Sequence, residues 1–537
     1  MMWFARTRAN QGRTMTGRMT TLKPGAAGNP AVAGANAFVA PLGSSAVSHR
    51  SKTDGEGLSA RLSRKGFLKG SLASLGLLAL GDTGLFAAPA GWKPSKKPRL
   101  VFGVMSDSHL MVGWDGVSQH RGFPHTYIRN AFKLFKQRGI DAFLHLGDAS
   151  HRGAVRELEF HRERFEEVFG KSGGPAKILV SGNHEFFGDC DRIKRIWPNK
   201  DDWKVQAIKG DFPRNWERGW GEKYEACWHR VVNGYHFFGR HWDTKEQKLA
   251  EFIKGHAESC GLKGGKPFFI LSHVRNHHSF RRALMEFPNA VAFFGHWHCS
   301  NADWKTIYYD GWSFPEICCG ACRNDGQNTL DANENVLRER ETTKQHNYHN
   351  NKVPSRQAMV VNVYDDMVVF ERHEVGEGGK LGPDWVMPLN WRTGNGEPGK
   401  GNHPFSRGEL AKAIGNPQFG KKARLALDAD GDSLKLTIPL ADGNPDSRVF
   451  AYDVVAIGDN PQKKFFRSVY FEGCNLGIGH EPNGGATTLD IPKSELPEGK
   501  DLTIAVRPLS SLGTKGRPLV VKYSTAAGTV RPRKAGA

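Results

Sequence analysis

Five apolar, β-rich runs that each end in a polar cluster constrain the fold of this chain more than any other feature. In chain order they are RLVFGVMSDSH, DAFLHLGD, AKILVSGNHE, PFFILSH and AVAFFGHWH. Continuous apolar runs of this length are typical of strands covered on both faces. The segments between them are long enough for helices, as in HTYIRNAFKLFKQRG and VRELEFHRERFEEVFG. The pattern therefore predicts a layered α/β fold.

The polar clusters place carboxylate, amide and imidazole groups just beyond the strand ends. Loops at this position form the usual site of chemistry in α/β sheets, so we expect these groups to meet. A dinuclear metal centre needs imidazole and carboxylate ligands, including one carboxylate that can bridge both ions. A single Asp more often caps a helix, and a single His is usually structural, but a series at five strand ends is hard to reach by chance. Its members are Asp107 and His109, Asp148, Asn183 and His184, His273, and His296 and His298.

The ordered series resembles the signature of the calcineurin-like metallophosphoesterase superfamily. Its blocks stand in this chain as DSH at 107–109, GD at 147–148, GNHE at 182–185, SH at 272–273 and GHWH at 295–298. The resemblance covers roughly residues 98–300 and implies a four-layer α/β/β/α sandwich. One departure lies in GDASHRG, where family members often carry Asp before Arg and Gly and this chain has His151.

The resemblance also implies a role for each matched residue. One metal ion would be held by Asp107, His109 and His298, the other by Asn183, His273 and His296, with Asp148 bridging. His184 would contact the phosphate and help to protonate the leaving oxygen, which is general-acid work suited to imidazole. The implied activity is hydrolysis of phosphate mono- or diesters by attack of a metal-bridging hydroxide. Mn, Fe, Zn and Ni all suit mixed nitrogen and oxygen ligation, so the metal stays open.

Four residues near these blocks are candidates for contact with the substrate: Arg152, and Arg275, His277 and His278 in HVRNHHSFRR. Guanidinium groups bind phosphate oxygens through paired hydrogen bonds. A solvated helix start explains HVRNHHSFRR equally well. We expect a phosphorylated small molecule or lipid as substrate. The net charge of +20 does not predict nucleic-acid binding, because no Lys/Arg block with interleaved aromatic residues stands out.

The N-terminal region predicts export. RLSRKGFLKG precedes the apolar run SLASLGLLALG, and the following DTGLFAAPA ends in an Ala-x-Ala pattern. A basic segment, a short apolar segment and a small-residue cleavage site are typical of a signal peptide, since the run is too short to span a bilayer. Residues 61–90 resemble a twin-arginine signal, with Lys65 where a second Arg is expected. We predict a periplasmic or extracellular protein whose mature chain has no membrane span; an uncleaved anchor is the alternative.

Composition predicts the remaining domain boundaries. Residues 1–60 are rich in Gly, Ala, Ser and Thr and are either a disordered extension or a misassigned start. The phosphoesterase domain spans 97–376, a Gly- and Pro-rich linker 377–418, and a tail 527–537. Short alternating strands in 419–526 predict an all-β immunoglobulin- or fibronectin-like sandwich. That domain shows no catalytic cluster, so we expect it to pack against the enzyme domain or to contact glycan or cell wall.

The same sequence allows an alternative function. The chain could instead be an exported binding or adhesion protein whose phosphoesterase-like domain is not catalytic, although such a relic would be expected to lose ligands and every block is intact.

The eight cysteines of the chain include those of CCGAC, but no second Cys-x-x-Cys pair has zinc-finger spacing. Buried thiols or one local disulfide are therefore expected rather than a structural zinc site.

Overall fold

The computed structural model describes most of the chain from residue 97 onward, and all described residues fall in one compact unit, Thr83–Ala537. The described ranges are 97–111, 126–187, 207–303, 306–308, 314–322, 329–330, 336–337, 355–389, 405, 410–412, 415–441, 448–471, 473–525 and 529–532. The predicted extension (1–60) and export signal (61–90) lie outside them. No helix in the described ranges is long and apolar enough to span a membrane.

Helices and strands alternate along the first part of the described chain. The helices are α1 (Thr126–Gln137), α2 (Val155–Phe169), α3 (His184–Phe187), α4 (Phe212–Trp220), α5 (Glu246–His256) and α6 (His278–Ala283), with a 3₁₀ turn at Ile208–Asp211. The strands up to residue 308 are β1 (Leu100–Met105), β2 (Ala142–Leu146), β3 (Ala176–Val180), β4 (Cys227–Val232), β5 (Tyr235–Arg240), β6 (Phe268–Leu271), β7 (Ala290–Phe294) and β8 (Ile307–Tyr308).

Strands dominate the rest of the described chain. They are β9 (Glu316–Cys318), β10 (Thr329–Leu330), β11 (Val336–Leu337), β12 (Gln357–Val363), β13 (Met367–Glu374), β14 (Trp385–Pro388), β15 (Ala426–Asp430), β16 (Ser433–Ile438), β17 (Val449–Ile457), β18 (Lys464–Tyr470), β19 (Thr487–Pro492), β20 (Asp501–Ser510), β21 (Leu519–Ser524) and β22 (Thr529–Pro532). Short 3₁₀ turns occur at Pro482–Gly485 and Lys493–Glu495.

Two mixed six-stranded sheets form the α/β domain. The first has the order β14-β13-β12-β1-β2-β3, in which β1, β2 and β3 run parallel. The second has the order β4-β5-β6-β7-β9-β8, in which β5, β6, β7 and β9 run parallel. Parallel neighbours bring their carboxyl ends to one edge of each sheet. The predicted mixed α/β architecture is therefore confirmed.

The two sheets face each other across an aromatic core. Phe102 on β1 makes edge-on ring contacts with Phe237, Phe269 and Phe293 of the second sheet, at centroid distances of 4.9 to 5.9 Å. Every residue of β1 is buried, because its other face is covered by helices. Edge-to-face ring pairs stabilise a core beyond the area that they bury.

Helices cover the outer faces of both sheets. Phe132 of α1 contacts Phe143 of β2 at 5.0 Å and Phe165 of α2 at 5.5 Å between ring centroids. On the second sheet, α5 and α6 pack against Phe238 and Ile270 in a separate cluster. Both long helices predicted from the sequence, α1 and α2, are present and amphipathic, with most of their apolar side chains buried.

The C-terminal part is all-β. A three-stranded sheet (β15-β16-β19) and a five-stranded sheet (β18-β17-β20-β21-β22) are antiparallel throughout and share one hydrophobic cluster. Burial alternates residue by residue along β16 and β20, as expected of strands with one wet face. The predicted C-terminal antiparallel sheets are confirmed.

Two predicted boundaries were wrong over short segments. Trp385–Pro388 lies in the range predicted as linker, but it forms β14 and pairs antiparallel with β13. Thr529–Pro532 lies in the range predicted as tail, but it pairs with β21 as β22. Both are four-residue edge strands, too short to carry a periodic pattern, and their pairing depends on a partner strand rather than on their own sequence.

The described cysteines are free thiols, and Cys318, Cys319 and Cys322 of the CCGAC segment are buried. Cys190 lies outside the described residues. Of the two expectations for the cysteines, buried thiols rather than a local disulfide are therefore found in CCGAC.

Candidate metal centre

The five polar clusters of the sequence lie at the carboxyl ends of β1, β2, β3, β6 and β7. Asp107 and His109 follow β1, Asp148 follows β2, and Asn183 and His184 follow β3. In the second sheet, His273 follows β6, while His296 and His298 follow β7. The facing sheets bring these loops together, so side chains up to 191 positions apart in the sequence meet, as in the pair His298 and Asp107.

The backbone is strained at most of these positions. Six non-glycine residues among the described ones have positive φ, and five are predicted ligands: Asp107 (49°), His109 (44°), Asp148 (53°), His296 (64°) and His298 (52°). The sixth, Asn233, lies in the β4–β5 turn. Such backbone costs on the order of 1 to 3 kcal/mol per residue and tends to cluster at functional sites.

Glycines in the motifs allow the loops to approach closely. A Cβ atom on Gly295 would collide with Ser106 Oγ and Asp107 Oδ2. A Cβ atom on Gly147 would lie 2.5 Å from His273 Nδ1, and Gly147 has a φ of +99°. Gly295 therefore needs to be glycine for space, and Gly147 for both space and backbone conformation.

One group of potential ligand atoms contains Asp107, His109, Asp148 and His298, all within 4.8 Å of one another. His298 Nε2 lies 3.0 Å from Asp107 Oδ1 and 3.1 Å from His109 Nε2. His109 Nε2 lies 3.7 Å from Asp148 Oδ2. Both carboxylates are buried, and Asp107 accepts hydrogen bonds from Ser106 Oγ and from the backbone N–H of His296.

A second group contains Asp148, His273 and His296, with Asn183 beside them. His273 Nε2 lies 3.2 Å from Asp148 Oδ2 and 3.1 Å from Asn183 Oδ1. His296 Nδ1 lies 2.9 Å from Asn183 Oδ1 and 3.2 Å from His273 Nε2. Asp148 belongs to both groups, and it is the residue predicted to bridge.

The hydrogen bonds of His273 require a proton or a metal ion between its Nε2 atom and the neighbouring oxygens of Asp148 and Asn183. His273 Nδ1 donates to the Leu146 carbonyl at 2.7 Å, so in the neutral imidazole Nε2 carries a lone pair. That lone pair faces the carboxylate of Asp148 and the amide oxygen of Asn183, which are also acceptors. Burial lowers the pKa of His273, but the charge and hydrogen bond of Asp148 outweigh it and raise this pKa to about 9. The donor set of imidazole, carboxylate and amide oxygen fits a pair of first-row transition-metal ions.

His184 lies against both groups. Its Nδ1 donates to the carbonyl of His151 at 2.8 Å, which leaves Nε2 directed elsewhere, 4.0 Å from Asp148 Oδ2. Its ring packs edge-on against His109 with centroids 4.3 Å apart. The backbone oxygen of residue 151 orients His184, so the unusual His151 side chain leaves this hydrogen bond intact.

Glu185, which the sequence analysis left without a role, organises the loops. It is fully buried, and its carboxylate accepts hydrogen bonds from the backbone N–H groups of Asp148 (3.0 Å), Ser150 (2.8 Å) and Gly182 (2.6 Å). Burial and the nearby Asp148 raise its pKa to about 8. The sequence could have indicated this role, because Glu185 lies in the GNHE block directly after two site residues.

Trp242 was also missed. Its ring lies 5.8 Å from that of His273 and 5.6 Å from that of His296, so it forms a wall beside the second group. It follows β5, whose segment YHFFGRHWD is a further apolar run ending in polar residues. The same pattern that located the other strand ends could have found it.

The four residues predicted to contact the substrate lie in different environments. The Arg275 guanidinium lies 3.8 Å from the ring centroid of Tyr308, and its Nε is 3.4 Å from the buried Glu316 carboxylate. His277 and His278 are exposed at the start of α6. Arg152 is half-buried in the loop after β2. Their role in substrate binding stays a prediction.

The fold and site define a class of protein in which facing α/β sheets present a buried cluster of potential metal ligands. Residues 100–300 match the family model described as calcineurin-like phosphoesterase. The chain therefore carries a calcineurin-like phosphoesterase domain over these residues.

Comparison with solved structures found distant similarities. The chain is similar to a dimetal phosphatase from Danio rerio, with 12% identity over 55% of this chain and 100% of that one, and a TM-score of 0.34. It is also similar to a purple acid phosphatase from yellow lupin (Lupinus luteus) seeds, with 11% identity over 53% of each chain and a TM-score of 0.38. Among curated proteins, none matches this chain.

Proposed function

We propose that this protein is an exported dinuclear-metal hydrolase of phosphate mono- or diesters. The observation that carries the proposal is the convergence of acceptor atoms on Asp148: the Nε2 atom of His273 lies 3.2 Å from its carboxylate and 3.1 Å from the Asn183 amide oxygen. A proton on His273 Nε2 can satisfy one of these oxygens, whereas metal ions between the groups satisfy all of the acceptors in this buried site. The calcineurin-like phosphoesterase match over residues 100–300 supports the reaction class.

The proposed ligands divide between two ions that share one carboxylate. Asp107, His109 and His298 would hold one ion, Asn183, His273 and His296 the other, and Asp148 both. When bound, the metal pair supplies a water of lowered pKa as nucleophile and positive charge for the phosphate oxygens. Mn, Fe, Zn and Ni remain the candidate metals.

His184 is the proposed proton donor to the leaving oxygen. Its Nδ1–H is held by the His151 carbonyl, so the proton available for transfer is the one that the imidazolium carries on Nε2. The side chain is 22% exposed, so Nε2 can reach a substrate that enters from solvent. Trp242, whose ring lies beside His273 and His296, would shield the second group from water.

A metal-reconstituted activity screen tests the proposal. The purified chain is loaded in turn with Mn, Fe, Zn and Ni and assayed on p-nitrophenyl phosphate, bis-p-nitrophenyl phosphate, nucleotides and phospholipids. We expect hydrolysis of at least one substrate class by the wild type, and at least about a 100-fold loss in Asn183→Ala. Absence of hydrolysis with every metal and substrate would favour the binding or adhesion alternative.

The leaving group tests the role of His184 separately. In His184→Ala, hydrolysis of an alkyl phosphate should fall by about 10²- to 10⁴-fold, and that of p-nitrophenyl phosphate much less, because p-nitrophenolate needs little protonation. His151→Ala is the matched control, since it keeps the accepting carbonyl and should retain near wild-type rates on both substrates. Equal losses on both substrates in His184→Ala would contradict a general-acid role.

Export and the C-terminal surface complete the proposal. The signal-like segment 61–90 supports cleavage after Ala90 and a periplasmic or extracellular location. N-terminal sequencing of the mature protein tests this, and retention of the leader in the cell envelope would contradict it. We also propose an immunoglobulin- or fibronectin-like arrangement for residues 419–526. The same domain would contact glycan or cell wall, and a pull-down on isolated cell walls tests that contact.

A further inference from the structure

A second cluster of potential metal ligands lies outside the strand-end site. His229 on β4, His236 on β5 and Cys260 just after α5 are half-buried, and their ligand atoms all lie within 4.8 Å of one another. None of them belongs to the phosphoesterase motifs. β4 is the edge strand of the second sheet, so the cluster lies at the border of the α/β domain.

Strand register explains why the two imidazoles meet. His229 is paired with Phe238 and His236 with Val231, so all four side chains stand on one face of the β4–β5 hairpin. The His229 ring stacks on that of Phe238 with centroids 4.5 Å apart, which fixes its orientation. The Cys260 backbone N–H donates to the His256 carbonyl at 2.9 Å, so the turn after α5 delivers the sulfur to this face.

The spacing fits a tetrahedral metal ion. His229 Nε2 lies 2.9 Å from His236 Nδ1 and 3.9 Å from Cys260 Sγ. In a zinc site with bonds of about 2.1 Å to nitrogen and 2.3 Å to sulfur, ligand atoms lie roughly 3.4 to 3.8 Å apart. The observed separations straddle that range, so small rotations of the side chains would complete the coordination.

The protonation of the imidazoles also favours a cation. Burial and the neighbouring His236, His256 and Arg230 lower the pKa of His229 to about 4, and burial and Lys266 lower the pKa of His236. Both rings are therefore neutral near pH 7 and offer lone pairs.

The two cationic neighbours are engaged elsewhere. Arg230 pairs with Glu225 at 2.8 Å, and Lys266 donates to the Gly234 carbonyl at 2.7 Å.

A third imidazole stands next to the cluster. His256 Nδ1 donates to the Phe252 carbonyl at 2.8 Å, which leaves Nε2 as its lone-pair nitrogen. Its ring centroid lies 5.3 Å from that of His229. Metal-binding histidines commonly donate their second ring nitrogen to a backbone carbonyl in this way. His256 is therefore a candidate for a fourth coordination position.

We propose that His229, His236 and Cys260, with His256 beside them, bind a transition-metal ion of the zinc class that fastens the end of α5 to the β4–β5 hairpin. Thiolate and imidazole ligands select Zn²⁺ and its chemical relatives over Mg²⁺ or Ca²⁺. The site shares no residue with the two strand-end groups, which contain nitrogen and oxygen ligands only, so the proposal does not depend on the proposed phosphoesterase activity.

Cobalt substitution tests the proposal on the full chain. Metal-free protein titrated with Co²⁺ should develop a thiolate-to-cobalt charge-transfer absorption in the near ultraviolet. The band should be lost in Cys260→Ser and retained in Asp148→Asn. Cys227→Ser is the matched control, since Cys227 is a half-buried thiol on the same hairpin but is not part of the cluster. Absence of the band in the wild type, or its persistence in Cys260→Ser, would overturn the proposal.

Metal content and thermal stability provide a second measurement. His229→Gln should bind one zinc ion fewer per chain than the wild type and should lose the zinc-dependent rise in melting temperature, with its phosphatase rate unchanged. His256→Gln should weaken zinc binding at this site without removing it. An unchanged zinc count in His229→Gln would show that the imidazoles share a proton rather than a metal ion.

Discussion

The α/β domain and the C-terminal β domain are built from strands of opposite character. Strand β1 is buried at all six positions, whereas β16 and β20 alternate between buried and exposed positions. Their strand ends differ as well. Asp107 and Asp148 follow α/β strands and are 0% and 1% exposed, while Asp430 and Asp432 flank an exposed turn in the C-terminal domain.

The contrast shows how to separate functional polar residues from turn residues. An exposed aspartate in a β-turn is hydrated and costs little, but a buried carboxylate with strained backbone costs several kcal/mol unless something compensates it. All six described non-glycine residues with positive φ precede residue 300, and those among them that are carboxylates or imidazoles belong to the ligand groups. Among the described residues, burial, positive φ and charge coincide in the α/β domain alone.

The largest expected effect comes from removing the carboxylate that both ligand groups share. Asp148→Asn should lower kcat by about 10³-fold or more and should reduce bound metal, because both groups lose the negative oxygen that they share. Asp453→Asn is the matched control: Asp453 is also buried, but in the C-terminal domain, where it accepts from Ser468 Oγ at 2.7 Å. Steady-state kinetics and metal analysis of both variants check this, and similar losses in both would break the distinction between the domains.

Replacing Glu185 should come next. Glu185→Ala leaves three backbone N–H groups without their acceptor and frees the loop that carries Asp148, so we expect activity to fall by about 10- to 100-fold. Glu374→Ala is the matched control, because Glu374 is buried and likewise accepts from backbone N–H groups, including those of Gly376 and Glu377. It should lower stability but not the rate per folded molecule. Activity and urea unfolding of both variants separate the two effects.

The contact between the domains should affect stability alone. Arg448, with a side chain 11% exposed, donates to the carbonyls of Leu381 and Gly473 and pairs with Glu481 at 2.9 Å. Arg448→Met should lower the free energy of unfolding by about 2 to 4 kcal/mol, because buried acceptors lose their partner. Arg424→Met, an exposed control in the same domain, should change it by less than about 0.5 kcal/mol. A large fall in kcat in Arg448→Met would mean that the domains are coupled.

The smallest effect concerns acid stability. Burial lowers the pKa of His241 to about 3, so the folded protein excludes a proton that the unfolded chain takes up below its pKa of about 6.5. Stability from His241 is present above that value and is lost as pH falls toward 3, by about 2 kcal/mol between pH 7 and 5. His241→Gln should flatten this slope relative to the wild type. The exposed His480→Gln should keep the wild-type slope in thermal unfolding at each pH.

Local pattern was sufficient for much of the fold. The doubly covered strands β1, β2, β3, β6 and β7 were visible as continuous apolar runs, and α1 and α2 as amphipathic segments. The edge strands were not visible, because β14 and β22 are four residues long and are stabilised by their neighbours. Strand β5 was missed although it has the same pattern, and Trp242 was missed with it.

The sequence by itself determined the residue types at the strand ends, and with them the candidate ligands Asp107, Asp148 and His298, because chemistry needs particular side chains in a particular order. Only the tertiary structure decided the distances that place Asp148 in both groups, the contacts by which Glu185 connects their loops, and the meeting of His229, His236 and Cys260. Distances between residues far apart in the chain depend on sheet register and helix packing, which are collective properties that no local segment encodes.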